Sequence, residues 1–468
     1  MSKKGKKQST NIKECVVKKD DIIKIKIEDM NTEGEGIGKV NGYTLFVKDA
    51  IIGDVIEAKV MKTKKTYGFA RLMNILEQSP DRIEPPCPIA RQCGGCQIQA
   101  MRYEAQLEFK RNKVKNNLER IGKFEDVEVL PVLGMEEPWR YRNKAQVPVG
   151  RNKEGEIITG FYAGRTHAII DQDDCLLGPT INKEIIHMVK EFMDQYGIPP
   201  YYEETHMGLI RHILIRQGFT TGEVMVCLII NGRKLPESKK LVERLLTIPN
   251  IKSICLNINM ERTNVILGRE VVNLYGDGFI TDYIGNVKYQ ISPLSFFQVN
   301  PIQTQKLYET ALTYAGLSGT ETVWDVYCGI GTISLFLAQK AKKVYGVEII
   351  EAAIADAKNN ASLNGIKNVE FYVGKAEEVL PQKYEEGIKA DVIVVDPPRK
   401  GCEVEVLETI VKMNSKRVVY VSCDSATLAR DLRWLVEHGY ELQKVQPVDM
   451  FGMTGHVETV CCLQRVDL

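Results

Sequence analysis

The most constraining feature of the sequence is a strict alternation of short apolar runs with helical segments over residues 292–468. TVWDVY, KVYGVE, VEFYV, DVIVVD and RVVYVS read as five strands, each followed by a helix. Such alternation predicts an α/β fold, a doubly wound parallel sheet. Two final strands joined by QPVDMFGMTGH predict an antiparallel hairpin at one edge. The leading helix, IQTQKLYETALTYAG, has Asn300 as N-cap, Pro301 at its first position, Gln303 as capping-box acceptor and a stop at Gly316.

Upstream the pattern differs. At 468 residues the chain has room for roughly two to four domains. Residues 1–19 carry seven Lys and one Glu, which predicts a solvated basic tail with loose attraction to a polyanion. Residues 20–78 alternate in short strands punctuated by Gly34, Gly36 and Gly38, the pattern of a small OB-like β-barrel. There Lys62, Lys64 and Lys65 interleave with Tyr67 and Phe69, the marks of a nucleic-acid surface or of a solvated basic hairpin. Residues 79–290 form a central β-rich module opened by a thiol-bearing loop and the basic helix YEAQLEFKRNKVKNNLERIG. Residues 291–468 are the alternating domain.

Composition removes several classes. With 44% hydrophobic and 26% charged residues, wholesale disorder is excluded. A net charge of +1 names no partner, so a polyanion site has to come from local clustering. No apolar run approaches the ~18 residues of a membrane helix, and the basic N-terminus lacks the apolar core of a secretory signal. Twelve cysteines are too sparse for a disulfide scaffold, so reduced thiols and a cytoplasmic location are expected.

Five constellations carry chemistry. Asp325-Val-Tyr327-Cys-Gly329-Ile-Gly331-Thr332 follows the first strand, where glycines let the chain turn sharply and let a ligand approach backbone. Glu348 ends the second strand, where an acid accepts from ribose hydroxyls. The third glycine of the dinucleotide fingerprint is missing, which favours S-adenosylmethionine (SAM) over NAD. Asp396-Pro-Pro-Arg399 follows the fourth strand and presents a carboxylate at the ligand edge. Cys423 ends the fifth strand before a helix, where the helix N-terminus is expected to lower the thiol pKa and make a nucleophile. Glu458 sits among apolar residues on the last strand, where a buried carboxyl serves as general base. Finally, Cys87, Cys93 and Cys96 form a C-x5-C-x2-C array, with Cys175 as the best fourth ligand. All-thiolate ligation suits zinc or an iron–sulfur cluster, and uneven spacing without histidine tilts toward [4Fe–4S]. The remaining cysteines, Cys15, Cys227, Cys255, Cys328, Cys402, Cys461 and Cys462, read mostly as core.

These signatures, with Ser295-Phe-Phe-Gln298-Val-Asn300, closely resemble the RNA uracil-5-methyltransferases over nearly the whole chain after the tail. The barrel resembles a TRAM domain, an RNA-binding module. The Cys87/Cys93/Cys96/Cys175 pattern resembles the iron–sulfur branch that modifies 23S ribosomal RNA. The resemblance implies Cys423 as nucleophile and Glu458 as base. It implies SAM contacts from Gln298, Tyr327 and Glu348, with Asp396 at the junction of cofactor and base. Gly329, Gly331 and Thr332 complete the expected cofactor set. One departure is that family members often carry Asn-Pro after the nucleophile, where this chain has Asp424-Ser425. An acid there favours the protonated thiol.

The chemistry accounts for the residue types. C5 of uracil is a poor nucleophile until a thiolate adds at C6, and a base must then remove H5. The target base has to leave its stack. The barrel, Lys110, Arg111, Lys113 and Lys115 of the basic helix, and the segment 140–144 are expected to hold flanking RNA. A monomer is the default expectation. Competing readings are a transfer-RNA uracil-5-methyltransferase, an RNA 5-methylcytosine methyltransferase, an amino-group methyltransferase, and a non-catalytic iron–sulfur RNA-binding factor.

Overall fold

The computed structural model describes residues 17–164 and 166–466. Most of the basic tail, with Cys15, lies outside the described residues. The chain divides into two compact units. One comprises the described residues up to 91 with 96–106 and 453–455. The other comprises 92–95, 107–452 and the described residues from 456 onward.

The first unit is built on five strands, β1 (Ile22–Met30), β2 (Gly36–Val40), β3 (Tyr43–Lys48), β4 (Val55–Thr63) and β5 (Tyr67–Glu77). They close into a barrel in the order β1-β2-β3-β5-β4. Period-2 alternation sends Ile25, Ile27, Leu45, Val47, Ile56, Ala58 and Val60 inward to one core. Gly36 and Gly38 lie within β2 rather than in turns. A Cβ on Gly38 would stand 2.5 Å from the Lys26 carbonyl oxygen, so close strand approach explains that glycine. Buried Asp54 ties the barrel to the segment that leaves it, accepting from the main-chain N–H groups of Ile51 and Ser79 and from the Arg82 guanidinium.

The main stretch of the second unit starts at Leu107, within helix α1 (Tyr103–Arg120). Its first sheet joins β6 (Lys144–Arg151), β7 (Ile157–Tyr162), β8 (Ile169–Asp171), β9 (Ile210–Gln217), β10 (Val224–Ile230), β11 (Ile251–Ile258) and β12 (Glu270–Tyr275). The order is β12-β11-β10-β9-β6-β7-β8. Helices α2 (Ile181–Tyr196) and α3 (Ser238–Leu245) pack into its core. A hairpin, β13 (Ile280–Ile284) and β14 (Val287–Ile291), leads to α4 (Pro301–Ala315).

The alternating segment then supplies β15 (Thr322–Val326), α5 (Thr332–Ala338), β16 (Lys343–Glu348), α6 (Glu351–Leu363), β17 (Val369–Val373), α7 (Ala376–Glu385), β18 (Val392–Val395), α8 (Val404–Met413), β19 (Arg417–Ser422), α9 (Ser425–Glu437), β20 (Tyr440–Val448) and β21 (Glu458–Arg465). Their sheet runs β17-β16-β15-β18-β19-β21-β20. The first five strands are parallel. The last two pair antiparallel, with β21 inserted between β19 and β20. Alternate residues feed two cores. Val323, Val394 and Val419 pack with α4, α5 and α6. Trp324, Ile393 and Tyr420 pack with α7, α8 and α9. The order in which strands join the sheet reverses between β15 and β18, and ligands of such sheets bind outside the carboxyl ends of strands at that point.

Asn300 caps α4 as the sequence predicts, accepting from the Gln303 N–H at 3.2 Å. The Gln303 side chain does not close the capping box. Its amide donates instead to the carbonyls of Leu133 and Asp449. Lys110 also departs from expectation. It is fully buried, with Nζ 2.5 Å from Asp449 Oδ1 and 3.0 Å from the Phe451 carbonyl, so it meets no phosphate. The basic look of α1 hides one lysine on its inward face.

Removing one partner of such a buried pair strands the other charge, at a cost of about 3–5 kcal/mol. Lys110→Ala is therefore expected to lower the urea midpoint strongly. Lys110→Met with Asp449→Leu should lose much less. Equal losses in the single and double variants would contradict the pairing.

Candidate active site

The carboxyl edge of the alternating sheet gathers the predicted residues within the second unit. Tyr327, directly after β15, takes a left-handed backbone (φ 73°), as do Gly329 (φ 55°) and Gly331 (φ 79°), the residue before α5. The turn is held by Glu348 at the end of β16. Its Oε2 accepts from the Gly329 N–H at 3.3 Å and its Oε1 from the Ile350 N–H at 3.0 Å. Thr332 Oγ1 lies 2.8 Å from the Tyr308 hydroxyl, and the Thr332 carbonyl accepts from Tyr289.

Asp325 is fully buried in β15. Ser334 Oγ donates to its Oδ2, while Oδ1 is buried with no protein partner. Burial pushes its carboxyl up to about 7. An orphaned acceptor under a two-glycine turn, with Glu348 alongside, fits a ligand that brings its own donors, as the amino and ribose hydroxyl groups of SAM would.

Asp396 follows β18, its N–H donating to the Val326 carbonyl at 3.2 Å. Desolvation, then the Asp325 charge, raises its carboxyl to about 7. The loop beyond is clamped by α9. Asp431 accepts from the Cys402 N–H at 2.8 Å and the Tyr420 hydroxyl at 2.6 Å. Arg430 donates to the Lys400 carbonyl, and Thr427 to that of Arg399.

Cys423 follows β19, and Glu458 opens β21. The register pairs Ser422 with Thr459, which sets Cys423 opposite Glu458 across adjacent strands. Glu458 is only 5% exposed. Burial, then Asp396, raises its carboxyl to about 8, against the pull of Arg399. The thiol does not behave as its helix-terminal position predicts. Burial, then Glu458 and Asp396, push it up to about 11, and Arg399 alone among the named neighbours pulls it down. The reason is local. Asp424 itself caps α9, accepting from the Ala426 and Thr427 N–H groups, so those donors are spent on a carboxylate rather than on the thiol. Asp424 contributes least to the rise.

Gln298 is half-buried in the loop before α4, its carbonyl accepting from Asn143 Nδ2 at 2.9 Å. Within the segment 140–144, Arg140 is engaged by protein groups. Arg140 pairs with Asp174 at 2.6 Å and donates to the carbonyls of Cys175 and Gly178. Lys144 is desolvated enough to fall to about 8.

Cys87, Cys93, Cys96 and Cys175 are each partly exposed. The Gly95 N–H points to Cys93 Sγ at 3.3 Å. Among the described residues, no group of three or more His, Cys, Asp or Glu side chains is arranged to hold a metal ion. Cys227, Cys255, Cys328, Cys402, Cys461 and Cys462 are buried. The roles of Asp325, Tyr308 and Asp431 were not assigned from sequence. For the two aspartates the available signal is a charged residue inside an apolar strand or helix face; Tyr308 carries none.

A family model described as tRNA (Uracil-5-)-methyltransferase matches residues 102–466, and a TRAM domain model matches residues 18–73. The chain belongs to the RNA uracil-5-methyltransferase family. It is a SAM-dependent RNA methyltransferase with an N-terminal TRAM barrel. A family member from Halalkalibacterium halodurans, named as an uncharacterized RNA methyltransferase, is 56% identical over 449 residues, spanning 96% of this chain and 98% of its own. One from Clostridium tetani with the same description is 52% identical over 449 residues, covering 96% and 97%. Among solved structures, the Pyrococcus abyssi tRNA (uracil-54, C5)-methyltransferase in complex with S-adenosyl-L-homocysteine matches with a TM-score of 0.74 and 29% identity, over 94% of this chain and 99% of that one. No helix among the described residues is long and apolar enough to cross a membrane.

Raised carboxyl pKa values carry a sign for stability. Asp325 and Glu458 keep their protons in the folded chain to about 7 and 8, against ordinary values of 3.8 and 4.5. The unfolded chain releases them first as pH rises. Their stability contribution is full below pH ~4 and is lost toward pH 8, by at most about 1.4 kcal/mol per pH unit for each group. Melting temperature should fall over this window, and Glu458→Gln should flatten the fall. An unchanged slope in that variant would contradict a buried, proton-holding Glu458.

Proposed function

We propose that this protein methylates C5 of uridine in 23S ribosomal RNA, with Cys423 as nucleophile and Glu458 as base, acting as a cytoplasmic monomer. The observation that carries the chemistry is the β19–β21 register, which sets a thiol against a buried carboxyl at the sheet's ligand edge. Gln298, Tyr327, Gly329, Gly331, Thr332, Glu348 and Asp396 are the residues to hold SAM, which when bound supplies an electrophilic methyl group. Cys423 Sγ adds to C6 of the flipped uracil, and C5 becomes nucleophilic. After C5 has taken the methyl group, Glu458 removes H5, the C6–S bond breaks, and the thiolate is restored. Asp396 or Gln298 polarises the uracil edge. A thiol held near 11 rests protonated. It must lose its proton once substrate is seated, and Asp396, whose charge acts on the thiol, is the carboxylate to take it, because Glu458 has to be unprotonated to remove H5.

The Cys87, Cys93, Cys96 and Cys175 set is proposed to bind a [4Fe–4S] cluster. The support is donor chemistry: three thiols in one Gly/Pro-rich loop and a fourth at residue 175. No step of the reaction runs through it. The same cysteine pattern favours ribosomal RNA. The second reading, transfer RNA, is favoured by the family model's description and by the substrate named for the Pyrococcus abyssi enzyme.

Methyl-labelled SAM with unmodified 23S, 16S and transfer RNA, digested to nucleosides, separates the two. Label in 23S RNA eluting as 5-methyluridine is expected. Label confined to transfer RNA would keep the chemistry and overturn the substrate. Cys423→Ala should drop turnover below detection and still bind SAM. Glu458→Gln should methylate and then stall as a covalent protein–RNA adduct. Anaerobic protein should carry about four irons and four labile sulfides per chain; stoichiometric zinc without iron would overturn the cluster.

A further inference from the structure

Two buried tyrosines converge on Thr332, the first residue of α5, and the proposed reaction uses neither. Tyr289 comes from β14 and Tyr308 from α4. The Tyr289 hydroxyl donates to the Thr332 main-chain carbonyl at 3.0 Å. The Tyr308 hydroxyl lies 2.8 Å from Thr332 Oγ1. One phenol therefore fixes the backbone of Thr332, and the other meets its side chain. The Tyr308 ring is itself held, its centroid 5.9 Å from that of Phe336 in the same core. Thr332 is partly exposed, so the hydroxyl pair borders the open side of the site.

Hydrogen-bond accounting leaves a donor over. Each of the two hydroxyls carries one O–H. The bond between them consumes one, whichever atom donates, and the other has no acceptor among the described residues. The carboxylates nearby do not take it. Asp325 Oδ2 accepts from Ser334, and Asp325 Oδ1 is buried without a protein partner. Yet Tyr308 stands among all three carboxyls of the site. Burial raises its pKa most, the bond with Thr332 opposes the rise, and the charges of Asp396, Asp325 and Glu458 add to it. A spare donor and a spare acceptor thus lie at one turn of the ligand edge. Together they complement the two ends of a zwitterion.

We propose that Tyr308 is a cofactor-binding residue: its hydroxyl and that of Thr332 together hold the α-carboxylate of SAM, while Asp325 Oδ1 accepts from the α-ammonium. The inference rests on the reading that this sheet edge holds SAM, and it does not depend on which RNA is methylated. Neutral donors suit the place. A lysine or arginine there would pair with Asp325, Asp396 and Glu458 and draw their pKa values down. That would remove the proton-holding carboxyls on which the chemistry depends. A hydroxyl pair binds a carboxylate and leaves them raised.

The test uses the full chain and two ligands that differ in one group. These are S-adenosylhomocysteine and its decarboxylated analogue, which keeps the amine and lacks the carboxylate. Isothermal titration calorimetry should show the unsubstituted protein binding S-adenosylhomocysteine about tenfold more tightly. Tyr308→Phe keeps the ring and removes one oxygen. It should weaken S-adenosylhomocysteine about tenfold and leave the decarboxylated analogue unchanged. Thr332→Val should do the same, and the double variant should lose little more than either single one, because the two hydroxyls act as a unit. In methyl transfer, Tyr308→Phe should raise KM for SAM and leave kcat little changed. A Tyr308→Phe variant that binds S-adenosylhomocysteine as the unsubstituted protein does overturns the proposal. So does one that weakens both ligands equally, which is what a merely structural tyrosine gives. Equal affinity of the unsubstituted protein for the two ligands defeats this inference alone. No binding of S-adenosylhomocysteine by that protein defeats the reading of this edge as a SAM site, and this inference with it.

Discussion

The pairing of β21 with β19 governs the rest of the site. A parallel sheet of five strands delivers its loops to one edge, but only residues that follow a strand reach it. Because β21 runs antiparallel, its first residue arrives at the same edge, and Thr459 opposite Ser422 brings Glu458 against Cys423. A slip of one residue would turn Glu458 to the other face of the sheet. Register is protected by burial on both sides: Val460, Cys461 and Leu463 are within the two cores. The edge strand β20 covers β21 and continues the pairing to Val448 opposite Glu458.

That register creates electrostatic pressure. Asp325, Asp396 and Glu458 share a desolvated region, and each raises a neighbour's pKa or has its own raised by burial. Groups held near 7 and 8 are poised to exchange protons at neutral pH, which is what a base in this chemistry needs. Perturbed carboxyls concentrated at one sheet edge mark a functional site more than a structural one. The same crowding keeps Cys423 protonated at rest. The scaffold contributes rigidity rather than charge: Asp431 binds Cys402 and Tyr420, and Lys110 with Asp449 braces the loop that leads to β21.

Much of this was legible in the sequence, for physical reasons. Strands buried on both faces read as apolar runs, so the order of elements in the alternating domain follows directly. Residues at strand ends follow from it, which is why Glu348, Asp396 and Cys423 could be placed at one edge. Long-range register could not be read, since nothing local to Glu458 says which residue it faces. The thiol's direction of shift was missed because burial and the charges of Glu458 and Asp396, which lie far along the chain, raise it, while Asp424 takes the helix-terminal N–H groups that would lower it. Lys110 and Arg140 look like phosphate contacts in a one-dimensional chain, and their partners, Asp449 and Asp174, lie 339 and 34 residues away. Gly36 and Gly38 read as turns, whereas tight strand contact within the barrel accounts for Gly38. The cysteine array was legible as donor chemistry, three thiols in one Gly/Pro-rich loop and a fourth at residue 175.

The central claim is that Cys423 bonds to C6 of a uracil and that the reaction then waits on removal of the C5 hydrogen. RNA in which 5-fluorouridine replaces uridine tests it directly, since fluorine at C5 cannot be withdrawn as a proton. With SAM present, the protein should form a denaturation-resistant adduct, and mass spectrometry should place the added nucleotide on the peptide that contains Cys423. An adduct on any other residue, or none although SAM and the RNA are both bound, would contradict the account.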